Sequence, residues 1–123
     1  GLASRLGTRS YARVKQARVA EVFGIVVGTL GVEGFGSVVA TLRLALRERG
    51  LGCYTLLVGK VNPEKLGNFP EIDCFVVVGA GDYAAPPLLD FPKPVLSPHE
   101  CLLALLPRSK WTGQAILDFP QFL

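Results

Sequence analysis

Residues on which many catalytic and metal sites depend are scarce in this chain of 123 residues. It has one histidine, three cysteines and no methionine, and no two cysteines have the CxxC spacing on which many zinc and redox sites are built. We therefore predict no metal site formed by this chain alone. The three thiols, which stand in apolar contexts, are predicted to be buried and reduced: Cys53, Cys74 and Cys101.

Hydrolase and nucleotide-binding motifs are missing as well. A Ser-His-Asp or Cys-His site would have to use His99, which falls in the first turn of a predicted helix and is expected to be exposed and structural. The phosphate-binding sequence Gly-Lys-Ser/Thr does not occur, and no paired carboxylates stand out as an acid–base site. The residues by themselves indicate no catalytic constellation.

The chain also lacks long apolar runs. A membrane-spanning helix needs about 20 predominantly apolar residues, and the runs here are much shorter. A charged segment followed by an apolar one, as in a secretory signal, is missing from the N-terminus. We expect a cytoplasmic protein without membrane contact. Because position 1 is not methionine, we also expect residues 1–123 to form a single domain of a longer protein.

Positive charge is concentrated at the start of the chain. The net charge is +3, but five bases precede the first acid, Glu21: Arg5, Arg9, Arg13, Lys15 and Arg18. A basic helix formed by this segment would either contact nucleic acid or an acidic partner, or present a solvated face that docks on a neighbouring domain. No aromatic pattern suggests base stacking, which favours docking, and we expect no direct contact with nucleic acid.

The most informative pattern is a strand, a glycine turn and a helix. Residues 22–27 form a short, β-branched apolar run that is typical of a strand buried on both faces of a sheet. Four glycines follow within 28–36. From Phe35 onward apolar residues recur on one helical face until Gly50, which suits the C-terminal end of a helix. This sequence of elements opens a βαβ unit.

The alternation continues to the end of the chain. Buried strands are predicted at 53–58 and 74–78, with a short fourth strand at 95–96. The other helices are predicted at 9–21, at 63–69 after the N-cap Asn62, and from the capping box at 97–100 to Pro107. This order predicts an α/β fold with three layers, in which helices flank a parallel sheet of about four strands.

Ligands of such sheets bind at the carboxyl ends of the strands. We select the loop after the first strand as the candidate cofactor-binding cavity loop, with residues Gly28, Thr29, Leu30 and Gly31. Its spacing, Gly-x-x-Gly-x-x-Gly, differs from the GxGxxG of dinucleotide-binding folds, and Lys60 stands where an acid would bind the ribose. The predicted sheet is therefore Rossmann-like without a dinucleotide fingerprint.

Six stretches occur in an order that is specific to one family. They are GIVVGTLG (24–31), YTLLVGK (54–60), NPEKLGNFPEID (62–73), CFVVV (74–78), KPVLSPHE (93–100) and WTGQAILDF (111–119). Together they resemble the C-terminal domain of the diphthamide synthesis proteins. The tryptophan-led tail is more similar to the second subunit of the eukaryotic enzyme than to the first.

The resemblance implies the third of three similar α/β domains around a central cavity. For the parent complex it implies a [4Fe–4S] cluster and S-adenosylmethionine, from which a 3-amino-3-carboxypropyl group is transferred to a histidine of elongation factor 2. It also implies two partners, elongation factor 2 and the first subunit of the synthase, which carries the catalytic cluster in the eukaryotic heterodimer.

One departure from the family concerns the metal. Ala80 stands where this domain's cluster cysteine occurs in the family, and Cys74 lies at the other end of the strand, roughly 20 Å away at ~3.3 Å per residue. Since alanine cannot bind iron, we predict no metal ligand, no catalytic residue and no cofactor bound to this chain alone. An accessory role in a transferase complex is the function predicted.

Two other functions remain open from the sequence. An α/β ligand-binding or protein-interaction module would use the same glycine-rich edge without redox chemistry. A catalytically competent subunit would instead take its cluster ligands from elsewhere in the parent protein.

Overall fold

Strands and helices alternate in the computed structural model, which describes residues 8–28, 35–79 and 91–107. In chain order the elements are α1 (Thr8–Ala17), β1 (Val22–Gly28), α2 (Gly36–Glu48), β2 (Gly52–Val58), α3 (Pro63–Gly67), β3 (Cys74–Val78), β4 (Val95–Leu96) and α4 (Pro98–Leu105). Within these ranges no helix combines the length and the apolar character that crossing a bilayer requires. The predicted tail at 111–119 lies outside the described residues.

The four strands form one parallel sheet in the order β2-β1-β3-β4. β1 pairs with β2 on one side and with β3 on the other, and its residues 23–27 are all buried. Every residue of β3 is buried as well. The predicted α/β fold with a four-stranded parallel sheet is therefore confirmed.

Helices cover both faces of the sheet and complete three layers. The larger layer is formed by α1, α2 and α4, whose buried apolar residues include Val14, Leu42, Leu46, Cys101 and Leu103. On the opposite face, Leu66 of α3 belongs to a smaller core with Ile72 and Phe75. Gly24 makes room for that core, because a Cβ added there would lie 2.8 Å from Cδ1 of Ile72.

β2 differs from the buried strand that its apolar sequence predicts. It lies at the edge of the sheet, where Tyr54 is 52% and Leu57 is 63% exposed. β1 separates β2 from β3, so among the described strands β2 has only one neighbour. An apolar run identifies a strand, whereas its position in the sheet depends on the strand order.

α1 ends at Ala17 and not at the predicted Glu21. The chain then turns, and the backbone amides of Glu21 and Val22 donate hydrogen bonds of 3.1 and 3.0 Å to the carboxylate of Asp73. Asp73 directly precedes β3, so this contact holds the start of β1 beside the start of β3.

The predicted helix signals are confirmed at three positions. Asn62 caps α3 by accepting the Lys65 amide proton at 2.9 Å, and Ser97 and Glu100 form the predicted capping box of α4. Gly50, which follows α2, has a φ of 71°. These signals are local, so the sequence alone is sufficient to place them.

Glu100 also joins α4 to α1. It is buried, and its Oε2 accepts hydrogen bonds from Arg13 Nη2 at 3.1 Å and from the Ser10 hydroxyl. Its other oxygen, Oε1, accepts the Ser97 amide proton at 2.9 Å. A single carboxylate therefore caps one helix and pairs with a partly buried arginine of another.

Candidate functional site at the carboxyl edge of the sheet

The strand order creates a switch point between β1 and β3. From β1 the chain passes through α2 on one face of the sheet to reach β2, and it returns to β3 through α3 on the opposite face. In open α/β sheets, ligands bind in the crevice outside the carboxyl ends of the strands where the connections diverge in this way. The crevice beyond β1 and β3 is therefore the candidate site.

Gly28 and Gly79 mark the two sides of this switch point. Gly28 is the last residue of β1, and a Cβ added there would have no atom of the described residues within 4 Å. This open space lets a ligand or another chain approach the backbone closely. Of the predicted cavity-loop residues, Gly28 occupies the expected strand end, whereas Thr29, Leu30 and Gly31 lie outside the described residues, as does Ala80.

Phe35 closes the space above Gly79. Gly79 has a φ of 79°, and a Cβ added there would lie 2.8 Å from both Cδ2 and Cε2 of the Phe35 ring. The sequence pattern assigns Phe35 only to the apolar face of a helix and does not predict this contact. The one sequence feature that could have indicated the contact is the position of Phe35, an aromatic residue between a glycine loop and a helix. The ring therefore leaves no room for a side chain at Gly79.

Lys60, which is expected near this edge, and the single histidine have different surroundings. Lys60 follows the exposed edge strand β2, and its backbone carbonyl accepts a hydrogen bond from Lys65 Nζ at 2.8 Å. His99, expected to be exposed, is half-buried in the first turn of α4. Within the described residues, no contact places the side chain of Lys60 or of His99 in the β1–β3 crevice.

The cysteines lie away from the candidate site, on the face covered by α1, α2 and α4. Cys53 and Cys74 flank Phe23 in one row across the sheet, near the amino ends of the strands. The five residue steps from Cys74 to Gly79 span about 16 Å of extended chain. Cys101 packs into the same core from α4. The described residues therefore place no thiol at the carboxyl edge.

The electrostatics of these thiols also disfavour metal binding. Burial raises the pKa of Cys101 to about 12 and raises the pKa of Cys74 well above its ordinary value. Burial raises the pKa of Cys53 too, although Arg43 and Arg47 oppose the shift. Iron binds the thiolate, a form that burial in the apolar core disfavours, so the raised pKa values argue against these thiols as cluster ligands. Cys74 and Cys101 are buried as predicted, while Cys53 is half-buried.

The basic residues Arg13, Lys15 and Arg18 are engaged within the domain. Arg13 pairs with Glu100, Arg18 donates to the carbonyl of Leu106 at 2.8 Å, and Lys15 lies 5.6 Å from the centre of the Tyr11 ring. Arg13 thus attaches α1 to α4, and Arg18 attaches the turn after α1 to the end of α4, whereas Lys15 contacts a residue of its own helix. This arrangement favours a structural role for the basic helix, with α4 rather than a neighbouring domain as its docking surface.

A cavity of about 330 Å³ at the opposite edge of the sheet has a structural explanation. Arg18 and Arg49 line it together with the end of α4, and Arg49 Nε donates to the Leu105 carbonyl at 2.9 Å. Both arginines satisfy carbonyls at a helix C-terminus that have no intrahelical partner. This cavity does not compete with the β1–β3 crevice as a candidate site.

Comparisons with known proteins extend over nearly the whole chain. The family described as "Putative diphthamide synthesis protein" matches residues 2–116. The protein named 2-(3-amino-3-carboxypropyl)histidine synthase subunit 2 from Gallus gallus is 44% identical over 110 residues, which cover 89% of this chain and 23% of the relative. The protein of the same name from Schizosaccharomyces pombe is 41% identical over 115 residues, which cover 94% of this chain and 23% of that relative. The chain spans about a quarter of the length of these relatives.

A solved structure agrees with these relatives. The crystal structure of Dph2 from Pyrococcus horikoshii with a 4Fe-4S cluster is 28% identical, with a TM-score of 0.66 over 83% of this chain and 29% of that chain. A second structure of Dph2 from the same organism gives a TM-score of 0.61 at 26% identity. The family match over residues 2–116 and the shared fold lead to one conclusion: this chain belongs to the diphthamide synthesis protein family.

Proposed function

We propose that the protein containing this chain is an accessory subunit of 2-(3-amino-3-carboxypropyl)histidine synthase. The complex transfers a 3-amino-3-carboxypropyl group from S-adenosylmethionine to a histidine of elongation factor 2, the first step of diphthamide biosynthesis. The observation that carries this proposal is the family match over residues 2–116, supported by relatives named as subunit 2. Its cytoplasmic location belongs to the same proposal.

Within that protein, this chain forms the C-terminal of three α/β domains and contributes one wall of the shared cavity. The wall is the β1–β3 crevice, with Gly28 and the loop residues Thr29, Leu30 and Gly31. Two observations support a wall without metal ligands. Cys53 and Cys74 lie near the amino ends of the strands, and Cys101 packs into the core from α4. The sequence segments that follow Gly28 and Gly79, namely 29–34 and 80–90, contain no cysteine.

The partner subunit holds the [4Fe–4S] cluster in this proposal, and the cluster supplies the chemistry that cleaves S-adenosylmethionine. The residues of this chain shape the cavity and exclude water from one side of it. The alternative function, an α/β ligand-binding or interaction module, is not favoured, because the family match covers almost the whole chain.

Anaerobic reconstitution of the full-length protein tests the proposal. The protein and its partner subunit are purified separately and together, and each of the three preparations is given S-adenosylmethionine, a reductant and elongation factor 2. We expect mass spectrometry to show the 3-amino-3-carboxypropyl adduct on a histidine only when both subunits are present. Equal modification by the partner alone would contradict an accessory function, and modification by the full-length protein alone would identify it as a catalytically competent subunit.

A further inference from the structure

Within the part of the chain that the structure describes, the outer side of β2 is an edge without the usual protection. Its seven residues, GCYTLLV, contain no charge and no proline. Natural sheets limit association at their edges with very short strands, charged residues, proline, bulges or a covering segment. β4, at the other edge, is protected by its length of two residues. β2 has neither a short length nor a protective residue.

Apolar side chains are exposed on both faces of this edge. Leu57 is 63% and Tyr54 is 52% exposed. Alternate residues of a strand point to opposite faces, so these two side chains lie on either side of the sheet. An added strand would have apolar surface to cover on each face, which is the arrangement used when a peptide extends a sheet.

The side of the edge that faces α2 is positively charged. Arg43 Nη1 donates to Thr55 Oγ1 of β2 at 2.7 Å. Arg47 is one helical turn further along α2 on the same flank, and it is exposed. The other two residues of this flank, Gly36 and Ala40, carry no charge, so no acid of α2 neutralises the pair there.

These charges argue against a second copy of this chain as the occupant of the edge. In a symmetric pair of β2 strands, each copy presents the same surface to the other. Arg43 and Arg47 would then approach their own counterparts, and like charges that face each other across paired strands are destabilising. The charge pattern instead fits an occupant that carries carboxylates.

We propose that an extended segment of the partner subunit, containing apolar and acidic residues, pairs with β2 as an additional strand. Its apolar side chains cover Leu57 and Tyr54, and its carboxylates pair with Arg43 and Arg47. The identity of the partner rests on the proposed function, in which relatives named subunit 2 act with another subunit. Tyrosine and arginine are also the residues that contribute most often to contacts between separate proteins.

Site-specific crosslinking in the complex of full-length subunits tests this pairing. A photoreactive benzophenone amino acid replaces Leu57, and in a matched control it replaces Leu44, which is 56% exposed on the outer side of α2. After irradiation we expect the probe at position 57, and not the probe at position 44, to crosslink to an acidic segment of the partner. Crosslinks confined to the protein's own polypeptide, equal yields at both positions, or no crosslink would overturn the proposal.

A charge reversal provides an independent measurement. Arg47→Glu is expected to weaken the association of the two subunits about tenfold and to reduce its dependence on salt. Lys15→Glu makes the same change of charge on α1 and is expected to leave the affinity unchanged. Equal effects of both variants would overturn the proposal. If wild-type subunits do not associate, the proposed function fails as well; if they associate and Leu57 does not crosslink to the partner, only the strand pairing fails.

Discussion

The ring of Phe35 lies so close to Gly79 that no side chain fits between them. A Cβ on Gly79 would lie 2.8 Å from two ring atoms, and the φ of 79° already disfavours any residue with a side chain. The contact joins the start of α2 to the end of β3, across the crevice that we propose as the cavity wall.

Gly79→Ala is therefore expected to weaken the packing of the start of α2 against the end of β3. Overlap with the ring and the left-handed backbone each add strain, and together they should destabilise the domain by about 3 kcal/mol. Hydrogen exchange of the β3 amides in the full-length protein measures the loss. Gly50→Ala is the matched control, because its φ is 71° and no atom of the described residues lies within 4 Å of the added Cβ. A loss at Gly79 no larger than that at Gly50 would show that the ring is not a steric constraint.

Gly28→Ala tests whether the open end of β1 is a cavity wall. Among residues 8–28, 35–79 and 91–107 the added methyl group meets no atom within 4 Å, so we expect stability to be retained. A ligand or neighbouring domain that approaches this backbone would be displaced, and transfer to elongation factor 2 should fall about tenfold or more. Gly59→Ala, which has equally open space at the end of the edge strand, is expected to retain activity. Full transfer activity of the Gly28→Ala variant would contradict the proposal that the end of β1 lines the cavity.

Glu100→Ala is expected to separate α1 from α4. The substitution leaves Arg13 without its carboxylate and removes the side chain that accepts the Ser97 amide proton. Loss of one partner of a largely buried pair costs about 3 kcal/mol, and loss of the capping interaction adds to it. Urea unfolding of the full-length protein provides the measurement. Glu100→Gln preserves the shape of the side chain and one acceptor oxygen, so it should lose less stability. Equal losses of stability in both variants would show that the missing hydrogen-bond acceptor is not the cause.

Stability is expected to fall in alkaline solution because of the buried thiol of Cys101. In the unfolded chain this thiol loses its proton near its ordinary pKa of 9.0, whereas burial raises the folded pKa to about 12. The unfolded state therefore binds fewer protons between these values, and stability decreases as pH rises, by up to about 1.4 kcal/mol per pH unit. Urea midpoints of the wild type and Cys101→Ala, compared on both sides of pH 9, should converge as pH rises. A constant difference would contradict the assigned cause.

Elements with local signals could be predicted from the sequence. The capping box of Ser97 and Glu100 and the Asn62 cap each depend on residues three positions apart, and the buried run at 74–78 has a composition that suits a parallel strand. These features are encoded within one turn or one strand, so the structure reproduces them with shifts of a few residues at the helix ends.

Features that depend on the strand order could not be predicted. β2 and β3 are both apolar, and only the order β2-β1-β3-β4 leaves one at the edge and the other buried. The contact of Phe35 with Gly79 and the pairing of Arg13 with Glu100 join residues far apart in sequence. The candidate edge could be inferred from the strand ends, but the residues that shape it required the tertiary structure.

The central claim is that this chain shapes the cavity without binding the metal. The most direct test is the iron content and charge-transfer absorbance of the complex of full-length subunits, measured for Cys53→Ala, Cys74→Ala and Cys101→Ala. We predict wild-type iron in all three variants, with lower thermal stability for the two fully buried positions, Cys74 and Cys101. Loss of iron and absorbance in any variant that retains its circular dichroism spectrum and its partner would contradict the account.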